Sequence, residues 1–179
     1  VTQQFNTTHS MGRLTLNILL SFAQFEREII AERTRDKMSA SRRKGKWVGG
    51  VPVLGYDIDP NGGKLLVNEE EASRVRAIFQ LYLEHEGLVS VVEELNRRGW
   101  RTKRWNSKRG RVHGDKLFTK SAIFRLLKNI IYIGKVDYKD EIYEGEHPAI
   151  VDVGVRRKVQ LLLTRNGRTG GKDARNRHG

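Results

Sequence analysis

Lysine and arginine are the side chains whose type and spacing suggest chemistry, and they come in runs. Arg33, Arg35, Lys37, Arg42, Arg43, Lys44 and Lys46 stand against the single acid Asp36, and Arg101, Lys103, Arg104, Lys108, Arg109 and Arg111 surround Trp105. Clustered cations attract a polyanion, whereas basicity that served only solubility would be met by an even scatter. Over 179 residues, 34 Lys and Arg against 21 Asp and Glu leave a net charge of +13, with an isoelectric point near 10.3. The partner this predicts is nucleic acid.

Other chemistries find little support. Ser10, Ser21, Ser39, Ser41 and Ser121 lack a nearby base that would make them nucleophiles. His9, His85, His113, His147 and His178 are dispersed and show no metal-ligand spacing, so no metal is expected. The chain has no cysteine, which excludes disulfides and cysteine-based zinc or redox sites. It shows neither a Gly-rich phosphate loop of the Walker type nor a nucleophile elbow. Glu69, Glu70 and Glu71 read better as the charged first turn of a helix than as catalytic acids. The residues predict binding without catalysis. No apolar run is long enough for a membrane span and no signal peptide is evident, so a soluble, cytoplasmic and nucleoid-associated chain is expected, with no membrane partner.

The elements that must position these cations follow from periodicity. Residues 12–38 read as one long helix, because Thr15, Ile18, Phe22, Phe25 and Ile29 recur at spacings of three and four. Leu19, Ala23, Glu26 and Ile30 thicken that stripe. A helix of about 40 Å exceeds what a small domain needs. Its apolar face either packs on this chain's own core or meets a second subunit or another domain; the coiled-coil-like spacing favours the latter. The basic stretch 39–51, ending in Trp47, Val48, Gly49 and Gly50, reads as a linker of the kind that lies in a DNA minor groove.

Residues 52–165 form the globular part. Tyr56–Ile58 and Leu65–Val67 flank a turn cluster and predict a hairpin. Asn68 with Glu71 resembles a capping box, opening a helix whose core face carries Val75, Ile78, Phe79 and Tyr82. A second helix carries Leu88, Val91, Val92 and Leu95 and stops at Gly99. After the polar excursion 101–116, a helix over 119–129 turns Ile123, Leu126, Leu127 and Ile130 inward and shows Lys120, Ser121, Phe124, Arg125 and Lys128 on its other face. Val136–Tyr138 and Glu141–Tyr143 predict another hairpin, Asp152 caps a last helix bearing Val155, Val159, Leu162 and Leu163, and 166–179 read as a disordered tail. The fold class is α+β, mainly helical, with small β-hairpins.

Helices 88–98 and 119–129 have the ingredients of a helix-turn-helix, although their connection far exceeds the usual three or four residues. The second is the candidate recognition helix, with Lys120, Ser121 and Arg125 as base contacts and Lys128 beside them. Arg42, Arg43, Lys44, Lys46, Arg101, Lys103, Arg104 and Arg109 are the candidate phosphate contacts.

The segment Thr7-Thr8-His9-Ser10-Met11-Gly12-Arg13-Leu14, with Leu19-Leu20-Ser21-Phe22-Ala23-Gln24-Phe25-Glu26-Arg27-Glu28-Ile29-Ile30-Ala31-Glu32-Arg33-Thr34, resembles the end of the serine recombinase (resolvase and invertase) catalytic domain and its long dimerisation helix. Gly55-Tyr56, Leu65 to Phe79, Leu95-Asn96-Arg97-Arg98-Gly99, Tyr132-Ile133-Gly134 and His147-Pro148-Ala149-Ile150-Val151-Asp152 are similar to the recombinase domain of the large serine recombinases. The resemblance runs over about residues 1–165. It implies attack on DNA phosphate by a serine lying in a domain before Val1, a 5′-phosphoserine link, subunit rotation and religation. It implies phosphate contacts from Arg27 and Arg33, helix packing set by Glu32, a homodimer or tetramer through the long helix, and a following zinc ribbon that this cysteine-free chain lacks. No cofactor is needed by such a mechanism.

The expected function is therefore the double-stranded DNA-binding part of a serine site-specific recombinase acting in integration, excision or transposition, itself unable to cut. The rival is a helix-turn-helix transcriptional regulator dimerising through its first helix. An RNA-binding protein is a weaker third reading, since the aromatic residues make no RNP-like pattern on strands.

Overall fold

The computed structural model describes residues 10–107 and 109–173, and the chain divides between Ser41 and Arg42 into two compact units. The described residues of the first unit form the greater part of one helix, α1 (Ser10–Arg43). None of its residues is buried, and Met11, Phe22, Phe25 and Ile30 stand among its exposed apolar side chains. Thr15, Ser21 and Thr34 donate their hydroxyls to the carbonyls of Met11, Asn17 and Ile30, one turn back. The expected linker is shorter than its charge run suggested. The run lacks Pro, so the helix continues through it, and Arg42 and Arg43 occupy its last turn, where cations suit the dipole. The quoted residues Thr7, Thr8 and His9, and Lys108 in the second run, lie outside the described residues.

The second unit opens where the helix ends. Gly45 has φ +72°, and a Cβ there would fall 2.0 Å from the carbonyl oxygen of Glu144, so only glycine fits. This approach belongs to a junction in which the Glu146 N–H donates to the Gly45 carbonyl at 3.0 Å. Arg42 lies 5.5 Å over the Tyr138 ring, and Lys46 stands 4.0 Å from Glu146.

Among the described residues of this unit, three antiparallel hairpins punctuate four α-helices. β1 (Tyr56–Ile58) pairs with β2 (Leu65–Val67), and α2 (Glu69–His85) follows. Asn68 caps α2 by accepting from the Glu71 N–H at 3.1 Å, as expected. The reciprocal half of the capping box is not made, because the Glu71 carboxylate accepts from the Gly55 N–H and from Lys103. α3 (Leu88–Arg97) is followed by β3 (Trp105–Asn106) and β4 (Val112–His113), a hairpin inside what the sequence showed only as a polar excursion. α4 (Lys120–Lys128) leads through a 3-10 turn at Ile130–Ile133 to β5 (Lys135–Tyr138) and β6 (Glu141–Glu144). Lys139 and Asp140 between these strands both have positive φ, the backbone of a tight hairpin turn. α5 (Val153–Asp173) starts at Asp152, whose Oδ1 accepts from the Gly154 and Val155 N–H groups. It runs helical through 166–173, where disorder was expected; 174–179 lie outside the described residues.

The core fills from the predicted faces. Val75, Ile78, Phe79 and Tyr82 of α2, Val91 and Leu95 of α3, Ile123 and Leu127 of α4 and Val159 of α5 are fully buried. Helix α2 packs on α3 and α5, and α4 on α3 and α5. Tyr56 organises the far side. Its hydroxyl donates to the Pro148 carbonyl at 2.7 Å, its ring stacks on Tyr132 and the His147 imidazole meets it edge-on. The resemblance motif at 147–152 is thus structural: His147 Nε2 donates to the Ile131 carbonyl at 2.8 Å, and the Ile150 and Val151 N–H groups both donate to the Tyr132 carbonyl.

Candidate nucleic-acid interface

Helix α4 is mounted so that its two faces have opposite tasks. Thr119 caps it, the side chain accepting from the Ala122 N–H at 3.2 Å. Ile123, Leu126 and Leu127 are buried on the inner face, which fixes the rotation of the helix about its axis. Lys120, Ser121, Phe124, Arg125 and Lys128 are then left exposed together on the outer face, and the helix contains no acid. Arg125 Nε donates to the Ser121 carbonyl at 3.3 Å, and Lys128 Nζ lies 5.2 Å over the Phe124 ring. The stripe is cationic, polar and about 14 Å long, dimensions suited to a major groove.

The long connection between α3 and α4 is closed at its base. The Phe118 N–H donates to Asn96 Oδ1 at 3.1 Å and Asn96 Nδ2 donates to the Phe118 carbonyl at 3.3 Å, tying the end of α3 to the start of α4. The Thr102 N–H donates to the Lys116 carbonyl and the Asp115 N–H to the Thr102 carbonyl, and Trp105 stacks on His113 with ring centroids 4.5 Å apart. The excursion therefore leaves and rejoins the helix pair at one place, which reconciles its length with helix-turn-helix-like packing. Arg104 and Arg109 are exposed on it, and Arg101 stands 4.0 Å from Asp115.

Lys103 departs from its expected role as a phosphate contact. Its side chain is only 10% exposed, and its Nζ donates to Glu71 Oε2 at 2.5 Å and to Asp57 Oδ1 at 2.8 Å. The ammonium, with a further hydrogen bond from Asn68 Nδ2, holds the Asp57 carboxyl below its ordinary range. This cation staples the excursion to β1 and α2. The arm expected of Arg42, Arg43, Lys44 and Lys46 is also modified, since the two arginines are helical and only Lys44, Lys46 and the residues up to 53 lack regular structure. In the first unit, Arg27 and Arg33 are exposed on α1 about 120° apart around its axis, as six residues of helix dictate.

Two features beside α4 were not legible beforehand. Asn96 carries no charge or period to mark it, and its function depends on a partner 22 residues away. A cleft of about 710 Å³ is lined by Tyr82, Leu88, Val89, Leu163 and the Lys120 end of α4, drawn from segments distant in sequence. Among the described residues no group of His, Cys, Asp or Glu could hold a metal, and no helix is long and apolar enough to cross a membrane.

The fold agrees with comparisons to known proteins. The Recombinase family model matches residues 69–166 and the model for the resolvase N-terminal domain matches residues 1–47. The serine recombinase gin of Escherichia phage Mu is 31% identical over 83 residues, 46% of this chain and 43% of that protein. The gin protein of Escherichia phage D108 is likewise 31% identical, over 42% of its length. The chain thus spans less than half the length of these curated relatives. A crystal structure of an LSR–DNA complex superposes with a TM-score of 0.58 at 25% identity, covering 74% of this chain and 40% of the other. A structure from work on the sequence requirements of the Listeria innocua prophage attP site gives 0.57 at 25% identity, covering 73% and 52%. The chain belongs to the Recombinase family. These matches lend no support to the transcriptional-regulator reading.

Proposed function

We propose that this chain is the double-stranded DNA-binding part of a site-specific serine recombinase, which grips duplex DNA while a family catalytic serine outside residues 1–179 cuts and rejoins it. The observation that carries the reading is the outer face of α4, with Lys120, Ser121, Arg125 and Lys128 exposed together and no acid among them. Lys120, Ser121 and Arg125 at its first turns are the base readers, placed where a recognition helix meets base edges. Arg101, Arg104 and Arg109 on the excursion, with Lys44 and Lys46 after α1, supply phosphate contacts that position without specifying. Arg27 and Arg33 serve the DNA near the point of cleavage, and the exposed apolar side chains of α1 pair it with a second subunit in a homodimer or tetramer. The chain works beside the nucleoid, in integration, excision or transposition.

A mobility-shift titration on random duplex DNA across salt concentrations tests this. The expected result is steep salt dependence, about −0.9 in slope for each phosphate neutralised, and enrichment of one sequence by selection. Arg125→Ala relaxes the preference at one position, whereas Arg109→Ala weakens all sequences alike and lowers the slope by about one. Binding no stronger than to a neutral competitor would refute the proposal.

A further inference from the structure

We propose that Phe124 reads the 5-methyl group of thymine and is thereby a specificity-determining residue of α4; this rests on the DNA-binding reading above. Phe124 is 39% exposed, and it is the one apolar side chain in the outward stripe of Lys120, Ser121, Phe124, Arg125 and Lys128. Along the helix, Lys120 and Lys128 lie one turn away in either direction and Arg125 next to it, while the ring also borders the cleft lined by Leu88, Val89 and Leu163. Lys128 Nζ, 5.2 Å over the ring, also restrains its orientation.

A phenyl ring set among cations complements a partner that is anionic yet offers an apolar group at the same spot. A protein groove that welcomed the ring would have to pair three cations as well. On the floor of the major groove of B-DNA, thymine presents the 5-methyl group, the apolar feature there, between two rails of phosphate. Lys128 meets the phosphates and Lys120 and Arg125 the neighbouring base edges, while the ring covers the methyl and excludes water from it. The inner-face residues Ile123, Leu126 and Leu127, all buried, prevent the helix from rolling the ring away.

The test uses the 179-residue chain and a duplex selected by it from a random pool, with each thymine replaced in turn by deoxyuridine, which removes only the methyl. Wild type is expected to lose about fourfold in affinity at one or two positions, the worth of one buried methyl group. Phe124→Ala is expected to bind thymine and deoxyuridine duplexes equally, with an unchanged salt slope, and Phe124→Leu to retain a preference for thymine. Deoxyuridine tolerated at every position by wild type, or discrimination surviving in Phe124→Ala, overturns the proposal. Because the methyl is deleted on the DNA, the wild-type arm does not depend on any variant folding. A chain that selects a sequence but ignores the methyl refutes this inference alone, whereas a chain that selects no duplex refutes the DNA-binding reading with it.

Discussion

Lys103 and Glu71, 32 residues apart in sequence, meet with Nζ 2.5 Å from Oε2 at a mostly buried site, and Asp57 completes the group from β1. The excursion between α3 and α4 is thus bound electrostatically to the start of α2. Lys103→Met strands the Glu71 carboxylate and is expected to cost about 3 kcal/mol, read as a lower urea midpoint with unchanged slope. The same variant, held where it is folded, should keep the parent's salt slope for DNA, because this cation faces carboxylates and not phosphate. A slope reduced by one would assign it to DNA after all.

Acid should loosen the same staple. Asp57 is held below its ordinary range first by the hydrogen bond from Lys103, so the folded protein keeps it charged at a pH where the unfolded chain takes up a proton. Its contribution is complete at neutral pH and is lost as pH falls through and below the usual carboxylate range. Urea midpoints of the parent should decline there, and Asp57→Asn should decline less over the same interval.

His147 gives a second dependence at higher pH. Burial pushes its imidazole down from 6.5, only partly opposed by the hydrogen bond to the Ile131 carbonyl. The unfolded chain then binds a proton before the folded one does, so stability is full above about pH 6.5 and falls as the pH drops through the folded value. NMR titration of the imidazole should place its midpoint below 6.5. His147→Gln should flatten the loss of melting temperature between pH 7.5 and 5.5.

Removing the amide that ties α3 to α4 should be felt at both helices. Asn96→Ala leaves the Phe118 N–H, on a buried residue, without its acceptor and is expected to destabilise by about 2 kcal/mol. Hydrogen exchange should show protection lost first at Phe118 and the first turn of α4. Unchanged protection at Phe118 would argue that the tie is dispensable.

Much of this molecule was visible in its residues. The apolar periods of α2, α3 and α4, the caps at Asn68 and Asp152 and the turn residues of β1–β2 and β5–β6 are local signals, and local physics realises them. The charge run through Arg42 and Arg43 predicts a linker, yet a helix needs no apolar residue in its last turns, only the absence of breakers, and α1 continues to Arg43. Nothing near Lys103 in sequence announces Asp57 or Glu71, so its charge alone predicts a phosphate contact. The outward stripe of α4 was legible from its inner one, whereas the β3–β4 hairpin was not, because two-residue strands carry too few positions to show a period.

The double tie between Asn96 and Phe118 also separates two properties that usually change together. Whatever the chain does between them, the helices on either side begin and end at the same points. Changes at the tip of the loop are therefore expected to leave the seat of α4 unaltered. The loop between the helices is thereby an adjustable appendage, and the seat of α4 does not depend on its tip.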